Sequence, residues 1–181
     1  MSDQLASPAV RTRPDENGVT VRLVEPAEYD EVGSLAVAAY SHDYTISEHY
    51  RASLLDVAPR ATEHEVWVAA DQADGRVLGT VATPRPGGHI SELAGDGEFD
   101  FRLLAVAPSA RRRGIGRLLV EHVLAEGRLR GAHRVVMNGG PHMTGAHRLY
   151  LELGFRRLPE RETKVIEGRT LYAFGLDLDQ P

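Results

Sequence analysis

Hydrophobic and polar residues change their period repeatedly along the chain, and each change marks an element. Residues 19–24 alternate, with Val19, Val21 and Leu23 on one face and Thr20 and Arg22 on the other, the signature of a half-buried strand. Pro26 and Glu28 suit the first turn of a helix, and Val32, Leu35, Ala36 and Ala39 recur at helical spacing, which predicts a helix ending near Tyr40. Ser47 is placed to cap a second helix carrying Tyr50, Leu54 and Leu55. Residues 65–71 and 76–83 read as strands joined by a turn containing Asp74-Gly75, a hairpin dipeptide. Residues 84–97 are rich in Gly and Pro and have no period, the mark of a long loop. Residues 99–106 form an apolar run expected as one central strand, and Ile115, Leu118, Leu119, Val123 and Leu124 place a helix over 114–130 with Gly131 as its stop. Residues 133–138 are a short buried strand. Thr144 is the expected cap of a helix over 145–153 that Gly154 ends, and residues 155–158 and 170–178 are the last strands, flanking a charged hairpin at 160–169.

This order is mixed α/β around one core. Residues 1–18 carry Ser, Pro, Asp, Glu and Asn with little apolar content and read as a disordered tail, leaving one domain over 19–178. No run approaches the ~20 apolar residues of a membrane span, and no apolar segment near the N-terminus suggests a secretory signal. Cysteine is absent, which removes disulfides, thiol nucleophiles and cysteine zinc sites and fits a cytoplasmic location. The net charge of −5 argues against nucleic acid or an anionic membrane as partner. No histidine has metal-ligand spacing, so no metal is expected.

The chemistry concentrates in residues 99–129. A strand is followed by Ala107-Pro108-Ser109, three arginines, the pair Gly114 and Gly116, and an amphipathic helix. Amides at a helix N-terminus and the positive end of its dipole suit a phosphate, arginines add forked donors, and glycine lets backbone approach a ligand. The spacing starts like a dinucleotide fingerprint, but Leu119 stands where its third glycine would be. No G-x-x-x-x-G-K-[ST] run exists.

Arg111-Arg112-Arg113-Gly114-Ile115-Gly116 matches [QR]-x-x-G-x-[GA], and Ala146, Leu149, Tyr150, Gly154 and Phe155 match A-x-x-[LF]-Y-x-x-x-G-F. With these two motifs at this separation, the chain from about residue 19 to 178 resembles the GNAT superfamily of acyl-CoA-dependent N-acetyltransferases. The runs F-R-L-L-A-V-A-P and M-T-G-A-H-R-L-Y look like bacterial members whose substrate is unassigned. The resemblance implies a single mixed, mostly antiparallel central sheet with a splayed strand pair and helices on both faces. It implies acetyl-CoA as donor and a small-molecule or protein amine as acceptor. The arm of the cofactor would lie along the backbone of Leu104, Ala105 and Val106, and its pyrophosphate in the loop of Arg111, Arg112, Arg113, Gly114, Ile115, Gly116 and Arg117. Many members carry an asparagine three residues before the motif alanine, where this chain has Met143; Asn138 lies earlier.

Family chemistry is direct attack of an amine on the thioester, which needs a base, a donor to the oxyanion and an acid for the thiolate. Tyr150 falls on the tyrosine that serves as acid, and the Leu104 amide is the candidate oxyanion donor. Asp100 lies four residues before Leu104, on the same side of a regular strand, and some members carry a glutamate base there. Glu98, His89, Glu92 and His42 are the other bases considered. His122, His133 and His147 read as helix-face or strand-end residues. A non-catalytic acyl-CoA sensor would keep the arginine loop without needing Tyr150. The C-terminal strands could pair within one chain or between two chains of a homodimer.

Overall fold

The alternation of residues 19–24 becomes β2 (Val19–Leu23), which buries Val19 and Val21. The structure is a computed structural model, and it describes residues 13–14 and 17–178. The expected tail over 1–18 lies mostly outside these residues. From it, β1 (Arg13–Pro14) pairs antiparallel with β2, Arg13 opposite Val21 and Pro14 opposite Thr20.

After a single turn at Pro26–Glu28 come α1 (Tyr29–Asp43), α2 (Glu48–Leu55) and α3 (Val57–Glu63). The Ser47 side chain caps α2, accepting from the Tyr50 amide at 3.1 Å. The third helix was not expected. It buries only Val57, so it has no apolar period to read. The hairpin β3 (His64–Asp71) and β4 (Val77–Pro84) follows the expected turn. Next are β5 (Glu98–Asp100), β6 (Arg102–Val106), α4 (Ile115–Leu129), β7 (Arg134–Gly139) and α5 (Thr144–Glu152). Thr144 is the first residue of α5, and Met143 takes the capping position without a side-chain bond. The chain closes through β8 (Arg156–Arg157), the small hairpin β9 (Val165–Ile166) and β10 (Arg169–Thr170), and β11 (Tyr172–Asp177).

Strands β1-β2-β3-β4-β6 form one antiparallel ladder. Strands β5-β7-β11-β8 form another, in which β5 and β7 run parallel. The two ladders are continuous along the chain because β5 and β6 are successive halves of the expected central strand. Within one chain, β11 pairs with β7 and β8.

The pleat explains why both faces are covered. On β3, Val66 and Val68 pack with α1, Leu54 and Val57, while Trp67 and Ala69 pack with Leu119, Val123 and the aromatic cluster of Tyr150, Phe155 and Phe174. Strand β4 is therefore buried throughout. Helix α4 lies close on it at Gly79, where a Cβ would come within 2.9 Å of Ile115 Cγ2 and 3.0 Å of the Ala105 carbonyl.

Candidate functional site

The site begins at a fault in the central strand. Residues 98–100 pair with β7 and residues 102–106 pair with β4, with the break at buried Phe101. Pairing with β7 runs as far as Asp100 opposite Val136, beyond which β6 and β7 have no ladder between them. On the other side β6 is bulged: Ala82 faces Arg102 and Thr80 faces Ala105, so Leu103 and Leu104 together face Val81. Leu103 carries the strain with φ 55°. This is the splayed pair, and it opens a cavity of about 410 Å³ whose walls include Leu103 and Leu104 from β6 and Met137 and Asn138 from β7.

The break corrects the reasoning that placed Asp100 beside Leu104. Parity along a regular strand does not survive a break at Phe101 and a bulge at Leu103 and Leu104. Asp100 is 0% exposed. Its carboxylate accepts from the Ile90 amide at 3.1 Å and from the Ser91 amide and hydroxyl at 2.7 Å each. It anchors the 85–97 loop and is not among the residues lining the cavity. Glu98 is also engaged, with both guanidinium nitrogens of Arg161 at 2.8 Å, and these contacts hold its carboxyl below the usual range against the opposing effect of burial. Lys164 reaches Glu92, at 3.7 Å. His89 and Glu92 sit on that loop outside the 410 Å³ cavity, while His42 is exposed on the neighbouring groove.

That groove, about 980 Å³, adjoins the cavity through shared walls at Tyr40, Tyr44, Leu104 and Met143. It runs past Ala105 and Val106 to the start of α4. Gly114 caps the helix with φ 77° and no side-chain cap bond. The first-turn amides are thus left for a ligand, and no acidic residue stands in that turn to oppose an anion. Arg112 also has positive φ, 60°. Successive turns of this kind make an anion-binding concavity.

The arginines divide. Arg111, Arg112 and Arg117 line the groove. Arg111 is also tied down: its guanidinium bonds the Asp43 carboxylate at 3.0 and 2.7 Å and the Ala39 carbonyl at 3.2 Å. It fixes the loop to the C-terminus of α1, and the Asp43 carboxyl is held below its usual range by that bond. Arg117 lies 3.4 Å from Glu152. The Arg113 side chain turns away to Asp71, at 3.6 Å, and is not part of the groove wall. Ile115 is buried in the core and also borders the groove. Gly116 has a packing reason: a Cβ there would meet Leu149 Cδ2 at 3.2 Å, so it lets α5 approach α4.

Helix α5 brings Tyr150 to the cavity. Its ring is 3% exposed and packs edge-on against Phe101, with centroids 6.0 Å apart. Burial raises its pKa, with a smaller contribution from Tyr44, so the phenol keeps its proton at neutral pH. One turn earlier on the same helix, His147 enters the same cavity. It packs against Tyr172 and Phe174, and its Nε2 is buried with no partner among the described residues. Desolvation lowers its pKa and favours the neutral imidazole. Met143 borders both spaces, and its sulfur accepts from the Gly140 amide at 3.2 Å. Asn138 lines the cavity from β7.

Sequence reasoning missed His147 and Arg102 as cavity residues. His147 was legible in part, since it lies three residues before Tyr150 and so on the same helix face. Arg102 carries no local signal. The polar and aromatic segment Tyr40–Thr45 lends the cavity part of its wall, through Tyr40, Tyr44 and Thr45.

Comparison with known proteins is consistent with this geometry. Residues 29–155 match the model of the acetyltransferase (GNAT) family. The chain is 31% identical over 108 residues to glucosamine 6-phosphate N-acetyltransferase 1 of rice, covering 60% of this chain and 62% of that protein. It is 32% identical over 104 residues to N-acetylaspartate synthetase of zebrafish, covering 58% of this chain and 34% of that one. Among solved structures, it superposes with a TM-score of 0.59 on a putative acetyltransferase from Salmonella typhimurium with its cofactor acetyl-CoA, at 24% identity over 91% of this chain and 96% of that one.

Proposed function

Because the chain belongs to the acetyltransferase (GNAT) family, we propose that it moves an acetyl group from acetyl-CoA to a primary amine by direct attack, with donor and acceptor held together. The observation that carries this reading is the opening between β6 and β7, with a buried protonated Tyr150 in its wall and a helix N-terminus at the end of the adjoining groove. Acetyl-CoA supplies an activated acyl thioester. The α4 amides from Ile115 onward, with Arg112 and Arg117, hold its pyrophosphate, and Arg111 keeps that loop in place through Asp43. The backbone of Leu104, Ala105 and Val106 pairs with the extended arm, because the bulge and the missing β7 ladder leave room for it.

At the centre of the opening the Leu104 amide is the donor to the reacting carbonyl oxygen. Tyr150 holds the proton that the departing thiolate requires, and its raised pKa ensures that the proton is present at neutral pH. His147 is the base that receives the acceptor's proton, since it is neutral and faces the same cavity, whereas Asp100 is occupied with the loop. No metal has a role in this scheme.

The relatives' names indicate amine acceptors that are small molecules, glucosamine 6-phosphate and aspartate. A small amine is the acceptor class we adopt, with neither nucleic acid nor membrane as partner, in keeping with the net charge of −5. Cytoplasmic location fits the absence of cysteine.

The test is an acceptor screen with acetyl-CoA, following CoA thiol release across polyamines, amino acids, aminoglycosides and peptides. Acceptor-dependent release with an acetylated product in the mass spectrum is expected. Calorimetric binding of acetyl-CoA without turnover of any amine would instead favour the sensor.

A further inference from the structure

Arg102 opens β6 just beyond the break in the central strand. Its side chain stands in the wall common to two cavities: the one of about 410 Å³ that holds Tyr150, and one of about 520 Å³ beside the 85–97 loop. It is half-buried, and it makes no hydrogen bond or ion pair among the described residues. Its neighbours behave otherwise. Arg111 is paired with Asp43, Arg161 with Glu98 and Arg157 with Glu162.

The groups around Arg102 do not supply a counter-charge. Tyr40 and Tyr50 feel its positive charge, which acts to lower both phenol pKa values, but burial prevails and both stay neutral. Arg60 packs nearby and adds like charge. Among the described residues the one carboxylate bordering the 410 Å³ cavity is Glu167, which is exposed and shares its hairpin with the equally exposed Arg169. In the second cavity Glu92 is taken by Lys164, and Glu160 is exposed. A guanidinium that borders a cavity without a carboxylate partner is free to pair with an anion that a ligand brings.

The chemistry of that ligand follows from the fork and the walls. Arginine presents paired donors that match a carboxylate. Apolar and aromatic residues, Tyr44, Ile46, Tyr50, Met137, Ile166 and Leu171, share the walls with polar ones such as Asn138 and His147. Arg102 and Leu104 line the same cavity, so a carboxylate held by Arg102 leaves the amine beside it within that space, facing the backbone of Leu104.

We propose that the acceptor is an α-amino acid with an apolar side chain, its carboxylate bound by Arg102. This rests on the acetyl-transfer reading and adds the acceptor's class to it.

The experiment compares L-phenylalanine, phenethylamine and phenylalanylglycine as acceptors, with acetyl-CoA affinity measured separately by calorimetry. Phenylalanine is expected to exceed phenethylamine in kcat/KM by about tenfold or more, as a charge-assisted pair implies. The dipeptide, whose carboxylate lies farther from the amine, should fall with phenethylamine. Arg102→Gln should raise KM for phenylalanine by a similar factor, with a smaller effect on kcat and no change in acetyl-CoA affinity, and Arg102→Lys should recover part of the loss. Equal use of phenylalanine and phenethylamine, a preference that survives in Arg102→Gln, or no turnover of phenylalanine by wild type that binds acetyl-CoA would each overturn the assignment while leaving acetyl transfer to other amines standing. Failure of wild type to bind acetyl-CoA would defeat the acetyl-transfer reading and this one with it.

Discussion

The Tyr40 hydroxyl donates a hydrogen bond to the Leu104 carbonyl at 3.2 Å, joining the last turns of α1 to the bulged strand. Residues 40 and 104 are far apart in sequence, yet this bond fixes the backbone where the sheet opens. Tyr40 is 8% exposed, and burial holds its pKa well above the ordinary value, so it remains a donor across the working pH range. Tyr40→Phe removes the donor and keeps the ring. A loss of roughly 0.5–1.5 kcal/mol is expected in urea unfolding. A weaker affinity for acetyl-CoA should appear in calorimetry, because the Leu104 carbonyl then loses its tie to α1. Unchanged affinity would mean that the bulge sets the backbone without help from α1.

Tyr150→Phe separates the hydroxyl from the ring. The aromatic contacts with Phe101, Phe155 and Phe174 remain, so stability should change little. If the phenol delivers the proton, kcat should fall by ~10²–10⁴-fold. Acetyl-CoA binding should hold. Normal turnover in the variant would remove Tyr150 from the chemistry and leave it as a core aromatic.

Asp100→Asn tests the loop anchor. Asparagine keeps one acceptor oxygen where the carboxylate serves three donors from Ile90 and Ser91. A destabilisation of about 1–3 kcal/mol is expected, since buried donors lose a partner. Hydrogen exchange at the Ile90 and Ser91 amides should speed up. A fall in kcat with unchanged exchange and stability would restore Asp100 as a base.

This residue also shows how far the sequence reached. The apolar run at 99–106 was plain, but nothing in F-D-F-R-L-L-A-V marks the place where one strand leaves β7 and joins β4. The break is tertiary: Phe101 is pinned in the core between the two ladders, and the bulge at Leu103 and Leu104 depends on β4 opposite. Periodicity assigns a face only while the strand is regular, so the reading of Asp100 failed with it. The turn at the arginine–glycine loop was legible because its geometry is local, an uncapped helix start with glycine in a left-handed conformation. The motif placed Tyr150 on the last helix, from which it reaches the cavity wall. The partners of the arginines were not, because Asp43 and Asp71 come from distant elements, and α3 was hidden by having only Val57 to bury.

Gly114→Ala probes the helix start without a steric complication. A Cβ at Gly114 has nothing within 4 Å, but φ is 77°, which a side chain resists. The strain is about 1–2 kcal/mol for an ordinary residue and less for asparagine, whose short polar side chain tolerates this region. Gly114→Ala should therefore lower the melting temperature and weaken acetyl-CoA binding, with Gly114→Asn intermediate. Equal affinity in all three proteins would show that the first-turn amides do not hold the pyrophosphate.

His147 gives the site a pH dependence whose sign can be worked out. Desolvation lowers its pKa from the ordinary value of 6.5, outweighing the opposing influence of the nearby Gly140 backbone. If His147 is the base, its neutral form is the active one, and activity should persist below pH 6.5 and fall only as pH drops through the lowered value. The stability contribution has the same direction. The unfolded chain takes up a proton near pH 6.5 and the folded chain resists it, so the contribution is complete above 6.5 and is lost as pH falls toward the folded value. His147→Gln keeps a polar side chain of similar reach and cannot titrate. It should abolish the acid limb of kcat and lower the plateau by ~10²-fold or more, as loss of a general base does. An acid limb that persists unchanged in His147→Gln would assign the base to another group and reduce His147 to a packing partner of Tyr172 and Phe174.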